Sequence, residues 1–154
     1  DTPTGMFATQ SGDIWVVGSE KGTAASSHLV GTTWHLQTYP ELSWGIDARA
    51  TYEARDGAIW LGAAVDWFSE RGHKGGVLSI LPDHQVHHTP PDALRYIYGI
   101  GQMSDASIWI GSYRGLNVFK QSTWTHIDTS EARSRISTGG YPRRFGKHAS
   151  PAKK

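Results

Sequence analysis

The sequence predicts an all-β chain built from repeated four-stranded antiparallel units, and three observations carry that prediction. An Ile-Trp run ending in Gly occurs three times, as Ile14-Trp15-Val16-Val17-Gly18, Ile59-Trp60-Leu61-Gly62 and Ile108-Trp109-Ile110-Gly111. The Ile-Trp pairs start at 14, 59 and 108, so they recur at intervals of 45 and 49 residues, long enough for about four short strands each. Composition agrees. The 154 residues include 18 Gly, seven Trp and six Tyr, and aromatic and β-branched residues separated by Gly, Asp and Ser favour short strands joined by tight turns.

The elements follow in order. Met6-Phe7-Ala8 reads as part of a strand, Ser11-Gly12-Asp13 as a turn, and Ile14 to Gly18 as the first Ile-Trp strand. Glu20 to Ser27 reads as a small polar loop. His28-Leu29-Val30 and Trp34-His35-Leu36 flank the hairpin turn at Gly31, and Tyr39-Pro40 closes the unit because Pro cannot continue a central strand. In the second unit Ile46, Ala48, Ala50 and Tyr52 alternate with more polar neighbours, the period of a half-buried strand. Arg55-Asp56-Gly57 is a hairpin turn before Ile59-Trp60. Gly76 to Leu81 and Gln85 to Thr89 complete the sheet around Pro82-Asp83-His84. The third unit runs as strands Tyr96 to Met103, Ile108 to Ser112, Gly115 to Phe119 and Thr123 to Asp128. Four strands in roughly forty residues, repeated, is the pattern of β-propeller blades. The predicted organisation is therefore a blade-like repeat over 1–42, a second over 43–94 with an inserted loop at 64–74, a third over 95–130, and a basic tail over 131–154. Three blades make an incomplete propeller, since rings hold about four to eight.

The totals bound the function. A net charge of +1 points to neither nucleic acid nor a membrane surface. The absence of cysteine excludes disulfides and thiolate metal sites. No apolar run approaches the ~18 residues of a spanning helix. The chain starts without Met or a secretory leader, which is expected of a mature or excised piece.

The third unit, with Ile108, Trp109, Ile110, Gly111, Ser112, Gly115, Leu116, Val118, Phe119, Trp124 and Thr125 at the pattern positions, resembles the two-component regulator propeller repeat. Asp56 to Gly62 matches the Asp-Gly-x-Ile-Trp-Ile-Gly half, and Ser11 to Gly18 matches it more loosely. The resemblance implies the periplasmic or extracellular sensor region of a bacterial membrane-bound histidine kinase. There, phosphotransfer and membrane attachment belong to other parts of the parent protein. Similar repeats also occur in polysaccharide lyases and glycoside hydrolases of propeller fold.

Candidate residues fall into five groups. Trp15, Trp60 and Trp109 sit at equivalent repeat positions and are expected in blade-to-blade packing. Each aromatic side chain can bury ~150–250 Å², an upper limit of several kcal/mol at ~25 cal/mol/Å². Gly18, Gly62 and Gly111 are expected where backbone approaches closely. The loop placing Trp67 and Phe68 beside Asp66, Glu70, Arg71 and His73 is the leading ligand-binding candidate, because aromatic faces flanked by carboxylates and Arg suit a carbohydrate. His84, His87 and His88 make no expected metal site: adjacent strand residues point to opposite faces, and solvated outer-strand positions are the expectation. Asp47, Glu53, Asp56, Asp66, Asp83 and Asp105 include no pair nominated for the two-carboxylate chemistry of a glycosidase, and Asp56 and Asp105 sit in equivalent turns. The reading is a non-catalytic sensor segment with no cofactor, the alternatives being a fragment of a propeller lyase or glycoside hydrolase and a protein-interaction scaffold. Its partners are a small ligand and further blades or a second copy. The tail cations Arg143, Arg144, Lys147, Lys153 and Lys154 form a solvated end.

Overall fold

The computed structural model describes residues 2–64, 75–88, 97–112 and 115–129. They form three four-stranded antiparallel sheets, each a simple meander. Blade 1 contains β1 (Thr2–Ala8), β2 (Ile14–Glu20), β3 (Thr23–Val30) and β4 (Thr33–Thr38). Blade 2 contains β5 (Gly45–Glu53), β6 (Ile59–Ala64), β7 (Val77–Ile80) and β8 (Gln85–His88). Blade 3 contains β9 (Ile97–Gln102), β10 (Ile108–Ser112), β11 (Gly115–Lys120) and β12 (Thr123–Asp128). The architecture is that of consecutive blades of an incomplete β-propeller.

The Ile-Trp strand is the second strand of every sheet, and its alternation explains the stacking. Successive residues point to opposite faces, so Ile and Trp of one pair serve different joints. Trp15 and Val17 of blade 1 enclose a core with Ile46, Ile59, Leu61 and Leu78 of blade 2. Trp60 and Val77 of blade 2 enclose a second core with Ile97, Ile108 and Ile110 of blade 3. Trp15 and Trp60 thus face the following blade and Ile59 and Ile108 the preceding one. Trp15 and Trp60 are 8% and 5% exposed, whereas Trp109, on which no following blade packs among the described residues, is only partly buried.

The first strands of adjacent blades lie together, β1 against β5 and β5 against β9, and every one of them is bulged. Blade 1 shifts register between Pro3 and Gly5, leaving Thr4 unpaired. Blade 3 shifts between Ile97 and Gly99, at Tyr98. In blade 2 Ile46 pairs with Ala63 and Thr51 with Leu61, so Asp47 to Ala50 stand opposite Gly62 alone. Bulges break the ladder and re-aim side chains.

Two expectations are corrected here. Glu20 to Ser27 is not a loop: β3 begins at Thr23, and Ala24, Ala25 and Ser26 are buried. Small residues give no β-propensity signal, but they let the sheets approach and admit Tyr39, whose hydroxyl lies 2.7 Å from Ser26 Oγ and whose phenol pKa is raised by burial. The strict alternation of β5 also fails at Ala48, which is exposed because the bulge carries it out of the core face.

Candidate functional site

The bulges of the first strands bring their residues to one place. Thr4, Trp44, Asp47, Ala48, Arg49, Ala64 and Ile97 line a cavity of about 560 Å³. Thr4 Oγ1 donates to the carbonyl oxygens of Val17 and Ile46, tying the first strands of blades 1 and 2. Asp47 and Arg49 are two residues apart on the bulge and form a two-point pair. Arg49 Nε donates to Asp47 Oδ1 at 3.0 Å and Nη2 to Oδ2 at 2.7 Å. The Arg49 backbone N–H adds a third bond to Oδ1 at 2.9 Å. The Arg49 hydrogen bond is the main cause that holds the Asp47 carboxyl below the ordinary carboxylate range. Arg49 Nη1 makes no hydrogen bond among the described residues. Trp44, 40% exposed, lines the same cavity. An apolar ring face next to a fixed, charged donor–acceptor fork can stack on a flat apolar surface while hydrogen-bonding the polar groups at its edge.

Asp47 was nominated from sequence only as one of several carboxylates; Trp44, Arg49 and Thr4 were missed. The available signal was the Asp-x-Arg spacing, which sets two opposite charges on one face of a strand.

The other nominated residues are placed as follows. Asp66, Trp67, Phe68, Glu70, Arg71 and His73 lie outside the described residues, as do Arg143, Arg144, Lys147, Lys153 and Lys154. Among the described residues no group of three or more His, Asp or Glu side chains could hold a metal. His84 pairs with Asp83 at 2.6 Å, and His87 Nε2 meets the Gly75 carbonyl at 3.0 Å. His88 is not a solvated outer residue. It stacks on Trp60 with centroids 5.0 Å apart and packs on Phe119 at 4.9 Å, and burial lowers its pKa. Glu53 Oε2 accepts the Gln10 N–H at 2.7 Å across the joint of blades 1 and 2. Asp56 and Asp105 each accept, through Oδ1, the N–H two residues on, at 3.1 Å in both turns. Asp105 also meets Lys120 Nζ at 2.7 Å, and that bond depresses its pKa.

The motif glycines divide. A Cβ on Gly62 would come within 2.9 Å of Ile97 in the next blade, whereas one on Gly111 would meet nothing closer than 3.9 Å. Gly18 does not share their position. It follows Trp15 by three residues rather than two, so it points away from blade 2, and a Cβ there would strike the Thr2 carbonyl of its own sheet. Val17 stands where Gly62 and Gly111 stand.

No family model and no curated protein matches the chain. Among solved structures it is similar to PorZ, described as an essential bacterial surface component of the type-IX secretion system of Porphyromonas gingivalis. The TM-score is 0.56 at 13% identity, over 81% of this chain. The matched part is 22% of the PorZ chain, so this chain spans about a fifth of that protein's length. The likeness is one of fold.

Proposed function

We propose that this chain is a non-catalytic β-propeller segment of an extracytoplasmic sensor of the two-component type, contributing to ligand recognition and signal transduction. The observation that carries the recognition role is the Asp47–Arg49 pair on the β5 bulge, in the cavity that exposed Trp44 also lines. Three consecutive blades have each diverted their first strand at the corresponding place, and bulges of this kind are over-represented beside functional sites. The repeat resemblance supplies the sensor class. The structurally similar PorZ is described as a bacterial surface component, which agrees with an extracytoplasmic setting. The ligand class that suits the site is a saccharide, whose ring C–H face stacks on indole and whose hydroxyls use the carboxylate and Nη1.

Calorimetric titration of the protein with a panel of neutral and acidic oligosaccharides tests the reading. Binding is expected, with Trp44→Ala and Arg49→Ala each weakening it about tenfold or more. Silence across the panel overturns saccharide recognition. Release of shortened or unsaturated products from the same oligosaccharides overturns the non-catalytic reading in favour of a lyase or glycoside hydrolase.

A further inference from the structure

The two blade joints within the chain obey one register rule. In blade 1, Val17 pairs with Ser26 and Ser26 with Gln37. In blade 2, Gly62 pairs with Val77 and Val77 with His88. Gln37 and His88 are therefore the same fourth-strand position. On the opposite face, the row from Ile59 through Ile80 ends at Gln85, and that from Ile108 through Phe119 ends at Trp124. The first joint sets Gln37 on Gln85, with a 2.8 Å hydrogen bond. The second sets His88 on Trp124, with ring centroids 5.9 Å apart.

The chain also carries both halves of a third joint, neither of them partnered among the described residues. The row in blade 3 from Gly111 through Leu116 ends at Ile127. The row in blade 1 from Ile14 through Leu29 ends at Trp34. Ile127 and Trp34 are 39% and 49% exposed, and each lies on an open apolar sheet face. Trp109, Leu116 and Val118 share the face of Ile127; Met6, Val16 and Leu36 share that of Trp34.

We infer that a second copy of this chain occupies these faces, blade 3 of each copy docking on blade 1 of the other with Ile127 against Trp34. The first strands fit the same rule. Ile97 covers Gly62, and the position of Ile97, opposite the third residue after the motif Trp, is held in blade 1 by Pro3. Pro3 then covers Gly111, where a side chain has room. Two copies give six blades, within the ~4–8 of closed propellers, whereas three copies give nine. A heterologous contact that closes makes a ring rather than a filament, so the ring is a dimer that encloses the first-strand cavity.

One contact of the internal joints is absent from the third. The Gln10 N–H donates to Glu53 at 2.7 Å and the Arg55 N–H to Gln102 at 3.0 Å. The equivalent pair is Ser104 with Ala8, which has no side-chain acceptor.

Sedimentation velocity of the full chain, without ligand, tests the inference independently of the sensing role. The expected result is a reversible monomer–dimer equilibrium with no larger species. Trp34→Lys and Ile127→Glu each leave a buried charge unpaired and weaken it about a hundredfold. Mixing the two variants restores the dimer, because one joint becomes Lys–Glu and the other is native. Ala8→Gln supplies the missing acceptor and tightens association roughly three- to tenfold. A monomer at all concentrations overturns the inference, residues 131–154 or another element then covering the faces. Growth beyond the dimer, or variants that leave association unchanged, also overturn it.

Discussion

Three hairpin turns of this chain share one backbone hydrogen-bond pattern, and two of them carry Gly where the third carries Ala106, which makes Ala106→Gly a sharp test. Thr9 to Asp13, Ala54 to Ala58 and Met103 to Ser107 each close with a bond from the first N–H to the last carbonyl, at 2.9, 2.9 and 3.0 Å. In each, the fourth residue donates back to the first carbonyl. That fourth residue has positive φ: +91° at Gly12, +82° at Gly57 and +65° at Ala106. An alanine held there costs about 1–2 kcal/mol, because its Cβ crowds the following carbonyl. Glycine relieves that cost but widens the unfolded ensemble by about 0.4–1 kcal/mol. The net expectation is a stabilisation of about 0.5–1 kcal/mol, or roughly 2–4 °C in Tm. Gly57→Ala is the mirror experiment and should lose a similar amount. Parallel urea and thermal unfolding of the three proteins at equal dilution measures both. If Ala106→Gly is neutral or destabilising while Gly57→Ala is costly, the equivalence of the turns is refuted.

Two further outcomes are expected. Gly62→Ala should destabilise by about 1–3 kcal/mol through overpacking against Ala50 and Ile97. Gly111→Ala should cost much less in the monomer, and denaturant melts under dissociating conditions separate the two; equal costs would contradict the assigned blade order. His88, with its pKa pushed below the ordinary 6.5 mainly by burial, binds fewer protons folded than unfolded. Stability is therefore full above about pH 6.5 and is lost as pH falls toward the folded value. His88→Phe should flatten that part of a pH–stability profile, and an unchanged slope would remove His88 as its source.

The sheets were legible because the repeat is written in large side chains. Ile-Trp pairs, turn glycines and alternating apolar rows locate ten of the strands closely. The two that were poorly anticipated are instructive. β1 was read only from Met6, since Thr2 to Gly5 carry no strand signal. β3 was read only from His28, since Ala24 to Ser27 are buried by virtue of being small. The first-strand cavity was illegible for another reason. Period-two reasoning assumes one residue opposite one residue, and β5 sets four opposite Gly62. In the sequence Asp47 therefore reads like any strand carboxylate, and only its spacing to Arg49 hints at the pair. The partnership of His88 with Trp60 and blade 3 was equally hidden, because it depends on which sheet lies behind the outer strand.

The β5 excursion separates two duties that most strands must combine. Ile46 and Thr51 to Glu53 keep the ladder with β6 and anchor the blade, while the residues between them owe little to that ladder. Changes at Asp47 to Arg49 can therefore alter the lining of the cavity at small cost to the sheets that frame it. In a chain whose two internal blade joints are locked by Trp15 and Trp60, this short detour is where the cavity lining can change without renegotiating the fold.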